Sequence, residues 1–207
     1  MIEFSELERD ALAEAFNLSL GEAAATFSTM VHEEIELSVP TVEVVSHADF
    51  VSQVESLLHK TRNMRVASIS QCFESDAGFD TRTFLLFPEQ GSLEIVRRML
   101  GDDTPIEQIT ELEQDALAEI GNVIINSCMS SLANLFGARL EGTLPLVETA
   151  TSSTLLRDRA PDAVMLVARI TMSMSAHDIS GLVLFVMDVP SLTKFMQELR
   201  RVFRMDD

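Results

Sequence analysis

Residues 6–17 read ELERDALAEAFN and residues 111–122 read ELEQDALAEIGN, so nine of twelve positions agree at an offset of 105 residues. The same offset sets Pro40-Thr41-Val42-Glu43 against Pro145-Leu146-Val147-Glu148. A looser match follows between Thr83-Phe84-Leu85-Leu86-Phe87 and Gly181-Leu182-Val183-Leu184-Phe185, each leading to a Ser-Leu helix start at Ser92 or Ser191. Self-similarity at a fixed spacing is the mark of a repeated structural unit. The chain therefore reads as a duplication with halves 1–103 and 106–207. The joint, Gly101-Asp102-Asp103-Thr104-Pro105, is short enough to predict one domain whose halves share a sheet.

Each half has one order of elements. A long helical pattern (6–33 and 111–137) precedes a Pro-containing strand (36–46 and 140–149), where Val/Glu alternation suits a half-buried strand. A helix over 48–60, led by His47-Ala48-Asp49, answers to a shorter polar segment at 152–159. Two apolar strands follow, 64–73 with 81–87 and 163–174 with 180–187. Their separators, Asp76-Ala77-Gly78 and His177-Asp178-Ile179-Ser180-Gly181, read as hairpin turns. Closing helices at 92–100 and 190–203 carry Arg97-Arg98 and Arg200-Arg201, where the helix dipole favours cations. The expected fold class is α/β (α+β), with helix-strand-helix-strand-strand-helix units in pseudo-two-fold symmetry around a shared β-sheet and the long helices on the surface.

Winding the first helix at about 100° per residue puts Leu12, Phe16, Leu20, Ala23, Phe27 and Met30 on one inward stripe. Asp10, Glu14 and Asn17 fall opposite, with the small Gly21, Ala24 and Ser28 continuing their face. In the second helix Leu117, Gly121, Ile125, Cys128, Leu132 and Leu135 face in, and Asp115, Glu119 and Asn122 face out. A solvated face is ordinarily free to vary, yet these three polar residues recur where the halves otherwise agree poorly. Placement in the first helical turns accounts in part for the Asp pair. It does not account for Asn17 or Asn122, since Asn is a mediocre helix-interior residue. Polar surface groups held in this way point to binding or catalysis.

The chain has 33 acidic and 15 basic residues and a formal charge of −18. Such an excess repels phosphate backbones and anionic lipid, so nucleic acid and membrane surfaces are poor partners and a basic partner surface is favoured. Trp and Tyr are absent, which removes the usual stacking platforms for single strands. Cys72 and Cys128 lack metal-type spacing and read as two buried thiols. Met165, Met172, Met174 and Met187 read as core. The dispersed His32, His47, His59 and His177 make no ligand set, and no nucleophile elbow, Walker, HExxH or CxxC motif occurs. Neither a signal peptide nor an apolar run of membrane length is apparent, so the expected location is the cytoplasm.

The full spacing is Asp-x3-Glu-x2-Asn-x22-Pro, met by Asp10, Glu14, Asn17 and Pro40 and again by Asp115, Glu119, Asn122 and Pro145. Four positions at about one in twenty each give roughly one chance match per 10⁵ starts. With this motif the sequence resembles the CheC/CheX/FliY family of response-regulator phosphatases. Two motifs in a chain of this length are most similar to its CheC branch; the CheX branch carries one, and the FliY branch adds a flagellar switch domain. Two departures stand out. Phe16 replaces the Gly that precedes the Asn in the second copy, which leaves equal activity of the two sites open. Asn126 and Met129 replace Gly21 and Ala24, which predicts crowding of a docking partner.

The resemblance implies the two-repeat fold and a protein substrate, a phosphorylated CheY-like receiver. It further implies that Asn17 and Asn122 enter the receiver's site and orient the attacking water, an amide having both an acceptor and a donor. Glu14 and Glu119, one turn away, would pair with the receiver's Lys, and Asp10 and Asp115 would support docking or the helix start. On this reading the protein needs no cofactor or metal of its own, the divalent cation belonging to the receiver. The alternative is a non-catalytic module that docks on a receiver or on a CheD-like deamidase to regulate adaptation.

Overall fold

The computed structural model describes residues 4–31, 33–38, 41–46, 65–101, 106–151, 154, 164–174, 177–187 and 189–204. The expected segment at 48–60, that at 152–159 apart from Thr154, the linker acids Asp102 and Asp103, and His32, His47, His59 and Pro40 lie outside these residues. The elements run α1 (Glu6–Val31), β1 (Ile35–Leu37), β2 (Thr41–Ser46), β3 (Arg65–Ser75), β4 (Asp80–Pro88) and α2 (Glu89–Leu100). They continue with α3 (Ile106–Phe136), β5 (Leu140–Gly142), β6 (Leu146–Thr151), β7 (Val164–Met174), β8 (His177–Met187) and α4 (Val189–Phe203).

One antiparallel sheet takes the order β1-β7-β8-β4-β3-β5, with β2 also on β7 and β6 also on β3. Strands exchange between the two sequence halves. The hairpin β3–β4 accepts β5 and β6, the hairpin β7–β8 accepts β1 and β2, and the hairpins join where Leu85 pairs with Val183.

The single Pro-containing strand expected in each half is instead two strands. Ser70 pairs with Leu146 but Phe73 pairs with Gly142, so Thr143-Leu144-Pro145 stands opposite only Gln71 and Cys72. One extra residue makes a β-bulge, and Pro145, lacking an N–H, fits an interruption of the ladder. Thr143 closes the gap: its N–H donates to the Cys72 carbonyl at 2.9 Å and its Oγ1 accepts from the Cys72 N–H at 3.1 Å. The registers of β1 and β2 on β7 differ by one residue in the same way. A second difference concerns 177–181. They belong to β8, which pairs with β7 down to Met174 opposite His177, whereas Asp76-Ala77-Gly78 forms the turn expected of it.

The inward stripes of α1 and α3 form the core with β3, β4, β7 and β8: Leu12, Phe16, Leu20, Ala23 and Phe27 from α1, and Leu117, Ile125, Cys128 and Leu132 from α3. Cys72, in contrast, is exposed, because on the alternating pleat it points away from the face that buries Ile69 and Phe73. Ala24 and Met129 are also buried, so neither continues a surface face. Met129 accepts the Thr83 hydroxyl at 3.6 Å, which removes it as a source of crowding on the surface.

Local chemistry fixes the helix ends. Ser5 and Glu8 form a capping box at the start of α1: the Ser5 N–H donates to the Glu8 carboxylate at 2.7 Å and the Glu8 N–H to Ser5 Oγ at 3.2 Å. Arg200 of α4 adds a hydrogen bond to buried Glu8 at 2.7 Å. Burial by itself raises the Glu8 carboxyl pKa; the hydrogen bonds from Ser5 and Arg200 outweigh it and hold the group below the usual carboxylate range. At the far end of α1, Glu33 takes Arg98 of α2 at 2.7 Å. Helix α3 ends in a Schellman turn, with Gly137 at φ +63°, its N–H on the Asn134 carbonyl and the Ala138 N–H on the Ala133 carbonyl. Arg201 of α4 donates to the Phe136 carbonyl at 2.6 Å. The expected dipole-favoured arginines thus also tie the last helix to both long helices.

Over Leu112–Phe136, α3 is long and apolar enough to cross a membrane by length and composition, contrary to the expectation from sequence. Half of that window is buried inside this fold, and its apolar side is the one turned to the sheet.

Candidate functional site

The 3.6-residue period carries Asp10, Glu14 and Asn17 along one side of α1, and Asp115, Glu119 and Asn122 along one side of α3. Both Asp and both Glu are exposed; Asn17 is half-buried and Asn122 exposed. None of these six lines the groove between α1 and α3, which is walled by Ala15, Leu18, Gly21, Glu22, Ser131 and Leu135 among others. The structure thus presents two separate polar stripes on two helices. Among the described residues, no group of three or more His, Cys, Asp or Glu is arranged to hold a metal ion.

The two helices approach the sheet differently. A Cβ placed on Gly121 would lie 2.2 Å from Cγ2 of Ile69 and 2.8 Å from its Cβ, so the Gly permits direct contact of the α3 backbone with β3. The same position in α1 is Phe16, fully buried and stacked on Phe185 with ring centroids 5.1 Å apart. The β7 register position answering to Ile69 is Ala168. Asn17 and Asn122 consequently stand on differently supported helices.

Asn122 opens onto a cleft of about 370 Å³ whose lining includes Gln71, Asn126, Thr143 and Leu144. The long interval between Asn and Pro has a structural reading here. After Asn122 the helix runs on to Phe136, turns through Gly137, adds the short β5, and returns in the bulge of Thr143-Leu144-Pro145 beside the same cleft. Leu144 is 89% exposed on that rim. Gln71 is buried, donates through Nε2 to the Thr143 carbonyl at 2.9 Å, and has no partner for Oε1 among the described residues.

Asn126 sits one turn beyond Asn122. Its Nδ2 donates to the Asn122 carbonyl at 2.8 Å and to Asn122 Oδ1 at 2.7 Å. Gly21 occupies the same position in the first copy, and Asn17 makes no side-chain hydrogen bond among the described residues. Asn126, where crowding of a partner was expected, contacts its own helix. Sequence reasoning did not bring Gln71, Thr143 and Leu144 to this site, since only strand pairing does so; the i,i+4 spacing of Asn122 and Asn126 was a legible signal.

No protein-family model matches the chain. It is 25% identical over 171 residues to the flagellar motor switch phosphatase FliY of Bacillus subtilis, and 26% identical over 145 residues to the CheY-P phosphatase CheC of the same organism. These matches cover 80% and 69% of this chain, but only 42% of that FliY and 66% of that CheC. Among solved structures, FliY of Thermotoga maritima has a TM-score of 0.73 at 20% identity, covering 98% of this chain and all of that one. A chain of the FliM–SpeE complex of H. pylori has a TM-score of 0.69 at 12% identity over 98% and 100%. A chain of the CheX–CheY–BeF3–Mg complex of Borrelia burgdorferi has a TM-score of 0.52 at 16% identity over 84% and 96%. At these identities the structural likeness speaks to the fold.

Proposed function

We propose that this chain, which its likeness to FliY and CheC assigns to the CheC/CheX/FliY family, is a phosphatase for the aspartyl phosphate of a CheY-like receiver. The observation that carries the reading is the twofold recurrence of Asp, Glu and Asn along helix sides of this chain, together with its likeness to two proteins named as phosphatases. We read residues 1–103 and 106–207 as two repeats of one CheC-like domain acting in the cytoplasm.

In this mechanism Asn17 or Asn122 is inserted beside the phosphorylated Asp and its carboxamide oxygen accepts a hydrogen bond from a water, holding it in line with phosphorus. The water oxygen bonds to phosphorus as the bond from phosphorus to the Asp carboxylate oxygen breaks. The electron pair leaves with the carboxylate, and the water's protons go to the phosphate and then to solvent. Orientation of the nucleophile is the contribution asked of the Asn. Glu14 and Glu119 pair with a receiver Lys and fix the register; Asp10 and Asp115 extend the acidic stripe. The charge on phosphorus is met by the receiver's own divalent cation and Lys, so the chain supplies no cofactor.

FliM-type neighbours share the fold, which favours keeping a second reading: a module that docks on a receiver or on a CheD-like deamidase without hydrolysis. Loss of acyl phosphate from a purified receiver separates the two. The wild type accelerates it, Asn17→Ala and Asn122→Ala each retain part of the effect, and the double variant falls about 100-fold, toward the receiver's own rate. A double variant as active as wild type refutes the mechanism. Binding of the receiver without any acceleration by the wild type establishes the docking module.

A further inference from the structure

We propose that Asn126 is a positioning residue that holds Asn122 back, so that the site on α1 is the open one and the site on α3 is restrained. The inference rests on the phosphatase reading for its effect on rate, and on the geometry alone for the latch itself.

The orientation of both amides follows from their partners. The Asn122 backbone carbonyl can only accept, so the Asn126 atom 2.8 Å from it is the amide nitrogen. That same nitrogen lies 2.7 Å from the Asn122 side chain, which must meet it with its oxygen. The Asn122 carboxamide is therefore drawn along its own helix toward the next turn, with one of the two lone pairs of its oxygen engaged. The proposed chemistry needs the opposite arrangement: a side chain extended from the helix and an oxygen offered to water. Asn126 is half-buried where the two residues line the mouth of the cleft. Opening the bond before insertion slows the α3 site about fivefold, the equivalent of about 1 kcal/mol at 1.4 kcal/mol per tenfold.

The first copy supplies the contrast. Gly21 stands where Asn126 stands, and a Cβ there would have no atom within 4 Å. Packing leaves that position free to carry a side chain, so the latch can be moved between sites.

The test reads each site in isolation through acyl-phosphate loss from a receiver. In an Asn17→Ala background, Asn126→Ala is expected to raise the rate about fivefold. In an Asn122→Ala background, Gly21→Asn is expected to lower it about fivefold, while Gly21→Ala leaves it unchanged. Thermal stability is followed alongside as a check on folding, and Gly21→Ala carries the helix effect of filling that position without the amide contact. An unchanged or slower Asn17→Ala/Asn126→Ala protein overturns the restraint and makes Asn126 neutral or a helper. If the wild type itself fails to accelerate phosphate loss, the phosphatase reading falls and with it the effect on rate. The latch is then judged by NMR: the side-chain amide resonances of Asn122 shift in Asn126→Ala, and their constancy would overturn it.

Discussion

Gly121→Ala tests the most specific packing relation in the molecule, and the sign of its effect is decisive. In an exposed helix interior the change would stabilise by about 0.8–1 kcal/mol, because Gly is the poorer helix former. Here the new methyl would stand 2.2 Å from Cγ2 of Ile69, 2.8 Å from its Cβ and 3.2 Å from Cγ1. Carbon atoms rest about 3.5–4.0 Å apart, so helix and strand must separate by about 1.3 Å or more. Ile69 is fully buried with β3 at its back, and overpacking a filled core costs about 1–3 kcal/mol. After the helix gain, a net loss of up to about 2 kcal/mol remains, or a fall in Tm of up to about 8 °C for a domain of this size. Differential scanning calorimetry measures it. The double-mutant cycle with Ile69→Ala assigns the cause: that change alone costs about 2–5 kcal/mol through its cavity, and the pair together costs less than the sum by at least about 1 kcal/mol. A Gly121→Ala protein that melts above the wild type would refute the close approach of α3 to β3.

Other outcomes follow from the same structure. Glu8 has its pKa lowered on folding, so its contribution is complete above the unfolded carboxyl value of about 4.3 and is lost as pH falls through the lower folded value; urea melts at descending pH should show Glu8→Gln losing less of its stability across that interval than wild type. Arg201→Ala removes the hydrogen bond to the Phe136 carbonyl and is expected to cost about 1–2 kcal/mol in chemical denaturation, whereas Arg139→Ala, whose ion pair with Glu141 is exposed on both sides, should cost under about 1 kcal/mol. Association with a receiver should weaken as salt rises from about 0.05 to 0.5 M, through a slower on-rate, because exposed charges more than about 10 Å apart are screened at 0.1 M; a salt-independent rate by stopped flow would remove the acidic stripes from docking.

Much of the architecture was legible in residue order because the controlling interactions are local. A 3.6-residue period is enough to say which side of α1 is core and which carries Asp10, Glu14 and Asn17. The duplication made the same statement for α3. Continuous apolar runs located β3, β4, β7 and β8 with their outer bounds nearly right. The second hairpin was misread because His177-Asp178 and Ser180-Gly181 look like turn chemistry, while cross-strand pairing with β7 outweighs such local preference. Cys72 was misplaced because its side of the pleat depends on register.

The sequence by itself determined the two helix faces and the order of elements, since short-range periodicity and capping act between residues a few positions apart. Tertiary structure alone decided what lies beside them. Strand exchange between the halves, the bulge that carries Pro145, the contact of Gly121 with Ile69, and the cleft joining Gln71, Asn122 and Thr143 all depend on segments some 20 to 140 residues apart. Their relative placement is set by ladder register and by volume in a shared core, and neither quantity is a property of any one stretch of chain.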